Sequence, residues 1–355
     1  MVRWLVFSDQ PAQILALLHE GGDELEIGGT GWSSKASGSF RMEGVKVIVG
    51  FAAIYLIWGS TYLGIRYAVE TIPPLFMMGV RHLLAGTLVY GWVRRRGTPA
   101  PTAKQWGCAL VAGALLFVGG HGILAWAEQK IPSGLAALLC ATLPLWTVLV
   151  ARIDGSERKL EAKAWAGLLV GFGGVALLIG PDFLGRRLDL PAAGAAMASA
   201  LLWTVGTSYA RKSSLPTSAA LSAAMQMMSG GAMLLLSGVV TGEGAHLDVA
   251  AITLRSALAL AYLTVFGSIV AFTVYVWLLT VSSPSRVSTF AYVNPVVAVF
   301  LGWMLAGEAM GVRIVAATAV ILMAVGLVNT SRKREAASIS LRAMAASRPR
   351  EMAAD

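Results

Sequence analysis

Charge is the scarcest commodity in this sequence. Asp, Glu, Lys and Arg make up only 13% of the 355 residues, against 56% hydrophobic residues and a mean hydropathy of +0.69. A soluble globular domain carries about a quarter charged residues, so that class is excluded. Cysteine is nearly absent as well. Cys108 and Cys140 both fall inside apolar runs, which excludes a disulfide framework and a cysteine-based zinc site and leaves them as packing residues. No HExxH, GxSxG or paired-carboxylate set is present, so the competing class of a polytopic membrane enzyme lacks its catalytic groups. A non-transporting membrane scaffold remains as a further alternative. Asp and Glu are missing from every long apolar run. The carboxylate of a proton relay is therefore not expected, and coupling would fall to His82, His121 or a site at the rim.

What the chain has is a succession of long apolar runs. A bilayer core about 30 Å thick needs about 20 such residues per helix. Runs free of Asp, Glu, Lys and Arg include Val47–Ile65, Gln105–Ala127, Ile131–Ala151, Ala164–Pro181, Leu190–Ala210, Ser213–Gly242, Ser256–Ser285, Val287–Gly307 and Ile314–Ser331. One more, from about Pro74 to Val93, is interrupted only by Arg81. Barrel strands would alternate apolar and polar, whereas these runs are apolar on every face. Backbone groups in hydrocarbon must bond within their own segment, so the runs predict an all-α membrane protein with ten transmembrane helices.

The net charge of +9 follows the loops instead of gathering on one soluble face, so no nucleic-acid partner is expected. Cations concentrate at Arg94–Arg96, Lys104, Arg152, Arg158, Lys159, Lys163, Arg211, Lys212 and the tail beyond Arg332. Cytoplasmic loops carry that excess, which predicts both termini in the cytoplasm and a bacterial plasma (inner) membrane setting, with the lipid bilayer as partner. Residues 1–41, acidic and then Gly/Ser-rich, read as a poorly ordered cytoplasmic extension, with Met42 an alternative start. Residues 332–355 read as a solvated basic tail that can also touch anionic headgroups.

The chain also repeats. Leu56-Ile57-Trp58 answers to Leu201-Leu202-Trp203, and the same spacing carries Arg81 onto Gln226. A second common spacing relates Trp126 to Trp277, Pro144 to Pro295 and Glu157 to Glu308, the change being absorbed in the Gly242–Asp248 loop. The halves are residues 47–181 and 190–331. Five helices per half is an odd number, so the second half enters the membrane from the opposite side and the repeats are inverted, an architecture of secondary transporters.

The segments LIWGSTYLGIRYA (56–68), IPSGLAALLCATLPLW (131–146) and SSPSRVSTFAYVNPVVAV (282–299), with Arg81, Glu157 and Glu308, resemble the EamA-type permeases of the drug/metabolite transporter superfamily. The resemblance covers about residues 47–330. It implies transport of small molecules, with export of amino acids and diverse metabolites associated with such proteins, and leaves the cargo open. No cofactor and no metal site is expected; a homodimer is left open.

Candidate substrate-binding residues are polar or aromatic groups set deep in the runs. At a rise of about 1.5 Å per residue, Trp58 lies roughly 16 Å and Asn294 roughly 14 Å from their helix ends. Trp58 can stack on a metabolite, with Trp203 as its counterpart; both can equally be packed aromatics. Asn294 precedes Pro295, whose missing N–H predicts a helix break with polar groups at mid-depth, and bracing of that kink is the competing role. Pro144 has Leu143 in the equivalent place and predicts a helix bend. Arg81 can grip a carboxylate or phosphate, or bond helix-end carbonyls. His121, among glycines, can bind substrate or carry a proton, while His82 beside Arg81 is expected to point elsewhere and pack. Tyr62, Tyr275 and Tyr292 are further lining candidates. Trp126 and Trp277 are expected to anchor at the interfaces, and Glu157 and Glu308 to cap the helix that follows each. Gly167 and the GFGGV run (171–175) form a helix-packing face, since no strand precedes them as a nucleotide loop requires.

Overall fold

The computed structural model describes residues 34–154, 166, 167, 169–171, 173, 174, 177, 189–282, 287, 289–324 and 327. All regular structure among them is helical. Glu157, the 332–355 tail and most of the fifth run lie outside the described residues.

In chain order the helices are α1 (Ser34–Ala68), α2 (Pro74–Arg95), α3 (Ala103–Gly113), α4 (Ile123–Glu128), α5 (Ser133–Cys140), α6 (Leu143–Ile153), α7 (Leu190–Lys212), α8 (Ala219–Val240), α9 (Leu254–Tyr262), α10 (Thr273–Val281), α11 (Phe290–Ala306) and α12 (Val312–Ala324). Among the described residues, five continuous segments are long and apolar enough to cross a membrane: Val45–Ala68, Ala103–Glu128, Leu190–Lys212, Ala219–Val240 and Leu254–Val281. Shorter apolar helices accompany them, and α2 is 22 residues long with Arg81 in its interior.

Two of the long segments widen to π geometry in the middle, at Ala114–Gly122 and Leu263–Phe272. They join α3 to α4 and α9 to α10, so the third helix of each half carries the same irregularity. Such segments recur at functional sites, because the wider turn displaces backbone groups from the regular ladder.

The run Ile131–Ala151 is not one helix. It breaks at Ala141–Thr142, where the amides of Leu145 and Trp146 both turn to the Thr142 carbonyl, and Pro144 falls in the first turn of α6, where a missing N–H costs nothing. The break expected at Asn294–Pro295 is absent: α11 runs through Pro295 to Gly307, whose φ of 65° ends it. The amide of Asn294, with its nitrogen toward the main chain, donates to the Phe290 and Tyr55 carbonyls at 3.1 Å each, which ties α11 to α1 beside the proline.

Apolar side chains such as Leu56, Leu84, Leu88, Leu236 and Phe300 face outward, while Thr61, Arg81, His82, Gln226, Ser268 and Asn294 are buried. This reversal is what a lipid solvent imposes. Helix α2 packs along α8 through glycines. A Cβ at Gly231 would lie 2.5 Å from the Leu83 nitrogen, one at Gly86 2.7 Å from the Met228 nitrogen, and one at Gly79 2.7 Å from the Leu235 side chain. Rising numbers on α2 meet falling numbers on α8, so these two second helices run antiparallel. The first helices cross over: α1 packs on the second π segment and α11, and α7 on the first π segment, α5 and α6. Gly171 and Gly174 pack against Leu145 and Ile321, as a helix-packing face requires.

Second-half carboxylates cap first-half helices. Glu243 Oε2 accepts from the Leu75 amide at 2.9 Å, where Pro73 offers α2 no side-chain cap. Burial pushes the Glu243 carboxyl up, opposed by bonds from Leu75 and Phe76 and by His246. Glu308 does not cap the helix that follows it. Its Oε1 accepts from the Ser133 amide at 2.8 Å and hydroxyl at 2.6 Å, and its Oε2 from the Gly134 amide at 3.0 Å, so it caps α5.

Candidate functional site

A cavity opens where α1, α2, α5, α7, α11 and the first π segment meet. It leaves about 80 Å³ for the centres of water-sized molecules, several times the roughly 10–15 Å³ that one water needs. Trp58, Tyr62, Arg81, His121, Trp203, Asn294 and Pro295 all line it. Pro144 does not, although its neighbour Leu143 does. Tyr275 lies one layer behind, its ring centroid 4.9 Å from that of Trp58. The side chain of Tyr292 lies outside the described residues.

The aromatic members form one cluster. Trp58 meets Trp203 edge to face at 5.8 Å and Phe290 at 5.1 Å, and His121 stacks on Trp203 at 4.9 Å and 26°. Trp58 is tied down by its indole N–H, which donates to the Gly267 carbonyl at 3.2 Å, within the second π segment.

Arg81 is 2% exposed, yet its observed partners are neutral. Its Nε donates to the Ser268 hydroxyl at 2.8 Å and its Nη1 approaches the Met78 sulfur at 3.6 Å. Its guanidinium passes over Gly267, where a Cβ would lie only 2.8 Å from Nη2. A π segment from one half thus receives the charge carried by the other, and only glycine leaves room for it.

His82 does not simply pack. Its Nδ1 meets the Ser268 hydroxyl at 3.3 Å and its Nε2 meets His121 Nδ1 at 2.9 Å, so Arg81, Ser268, His82 and His121 form one polar chain whose two ends line the cavity. Sequence reasoning singled out Arg81 and His121 but missed Gly267 and Ser268, because small residues in an apolar run carry no signal of their own. Cys140 also lines the cavity, its sulfur 3.6 Å from the Ala196 carbonyl.

The expectation that no acid enters the apolar segments fails at Glu128. The third helix continues one residue beyond the apolar run, and Glu128 is 0% exposed there, with Arg66 Nη1 donating to its main-chain oxygen at 2.7 Å. Among the described residues no group of three or more His, Cys, Asp or Glu could hold a metal.

The chain matches the EamA-like transporter family model twice, over residues 45–180 and 190–330. It belongs to that family. YedA of Escherichia coli strain K12, an uncharacterised inner membrane transporter by name, is 38% identical over 284 residues, covering 79% of this chain and 89% of YedA. A Salmonella typhimurium protein named "Probable amino-acid metabolite efflux pump" is 25% identical over 303 residues, covering 82% of this chain and 98% of its own length. A solved crystal structure aligns with a TM-score of 0.57 at 21% identity, over 79% of this chain and 96% of the other, which extends the likeness to the fold. The chain is therefore an integral membrane protein of a transporter family.

Proposed function

We propose that this EamA protein is a secondary transporter that moves small polar or amphipathic metabolites, amino acids among them, outward by alternating access of two inverted five-helix repeats. The observation that carries this reading is a cavity at the meeting of both halves, lined by a guanidinium with neutral hydrogen-bond partners and by a cluster of aromatic rings. A carboxylate matches the Arg81 fork, and an apolar side chain or ring matches Trp58 and Trp203. The antiparallel α2 and α8 support inversion, and the name of the Salmonella relative supports amino acids as cargo. Ten crossings with both termini in the cytoplasm complete the proposal.

The test is flux of a radiolabelled amino-acid and metabolite panel through proteoliposomes. Wild type should pass at least one compound, and Trp58→Ala and Asn294→Ala should lose more flux than Trp126→Ala at equal membrane abundance. A chemical product appearing with no labelled compound crossing would replace the transporter reading by that of a membrane enzyme.

A further inference from the structure

One buried ionisable group has no part in lining the cavity. Glu128 ends the third helix at 0% exposure, and neither Oε1 nor Oε2 has a hydrogen-bond partner. Leu124, one helical turn earlier on the same face, lines the cavity, so the carboxyl stands one turn beyond the cavity wall. Its titratable neighbours are Tyr62 and Arg66 on α1, Arg81 on α2, Cys140 on α5, and Glu308 beyond α11.

The bonds these neighbours make go elsewhere. Arg66 donates to the Glu128 main chain, Arg81 to Ser268, and Glu308 holds Ser133 and Gly134. An ionised carboxylate that is dry and without a partner is far costlier than a neutral acid, and groups so placed take up a proton.

We propose that Glu128 is a proton-binding site that couples flux through the cavity to a proton gradient. It holds its proton in the conformation described here and gives it up to water once the alternate conformation lets solvent or the Arg66 guanidinium reach the carboxyl. This inference rests on the transporter reading of the cavity, and its test separates the two.

Wild type, Glu128→Gln, Glu128→Asp and Glu308→Gln are reconstituted in liposomes, and infrared spectra are compared between acidic and alkaline buffers. A carboxylic-acid carbonyl band should be present in wild type, Glu128→Asp and Glu308→Gln, and absent in Glu128→Gln. Accumulation of an equimolar mixture of radiolabelled amino acids is then measured with and without a pH gradient. A gradient of one unit supports up to about tenfold accumulation per coupled proton. Wild type and Glu128→Asp should approach that figure, and Glu128→Gln should fall to no accumulation while still exchanging labelled for unlabelled solute. A band unchanged by Glu128→Gln, accumulation that survives it, or wild-type flux indifferent to the gradient overturns the proposal. If wild type passes nothing, the transporter reading fails, and the band alone decides whether Glu128 carries the proton.

Discussion

The fourth helix of the first half and its counterpart in the second half each carry a proline, Pro144 and Pro295, and they respond to it in opposite ways. The first breaks into α5 and α6 around Thr142, whose hydroxyl donates to the Leu139 carbonyl at 2.6 Å and closes the end of α5. The second stays whole as α11, with the Asn294 amide bonding the Phe290 carbonyl one turn back and the Tyr55 carbonyl on α1. A proline therefore does not by itself dictate a break. The outcome depends on where the proline falls: Pro144 stands in the first turn of α6, where its missing N–H interrupts nothing, whereas Pro295 lies inside α11, which Asn294 braces against α1. The halves diverge here chemically, and both versions border the cavity, through Cys140, Ala141 and Leu143 on one side and Asn294 and Pro295 on the other.

Four substitutions test this contrast. The largest effect is expected for Glu308→Ala, which strips three bonds from the start of α5; thermal unfolding in detergent should show a loss of about 3 kcal/mol or more. Asn294→Ala removes the donor from two buried carbonyls and should cost about 1–3 kcal/mol in the same assay, with spin labels at either end of α11 reporting a sharper bend. Thr142→Val removes one bond at a turn already closed by its backbone and should cost about 1 kcal/mol. Pro144→Ala should be nearly silent in stability, because the first turn of a helix tolerates the missing N–H. If Asn294→Ala proves as silent as Pro144→Ala, Asn294 does not brace α11.

Much of the architecture was legible in the residues alone. Apolar runs of bilayer length announced the helices, paired rare residues announced the halves, and odd residues such as Trp58, Arg81 and Asn294 pointed to the cavity wall. The rest depends on contacts between distant parts of the chain. Glu308 meets Ser133 across 175 positions, and nothing local distinguishes that role from capping its own neighbour. Glu128 stood just past the end of its run, and its burial comes from the elements packed around it. The π segments leave no compositional trace, since shifting a hydrogen bond by one residue changes no side chain. His82 looked like packing because its partners, Ser268 and His121, belong to other helices.

The glycine seam between α2 and α8 also governs how this protein can vary. At Gly79, Gly86 and Gly231 the space that a side chain would need is occupied by the opposite backbone or the base of a side chain. Volume, and not polarity, is the filter there, so serine is as unwelcome as alanine. Gly91, Gly107 and Gly194 have nothing within 4 Å of an added Cβ and accept a methyl group without steric cost. Among random variants that still fold, changes should collect at those open glycines and leave the seam untouched, tracing the line along which the two halves touch.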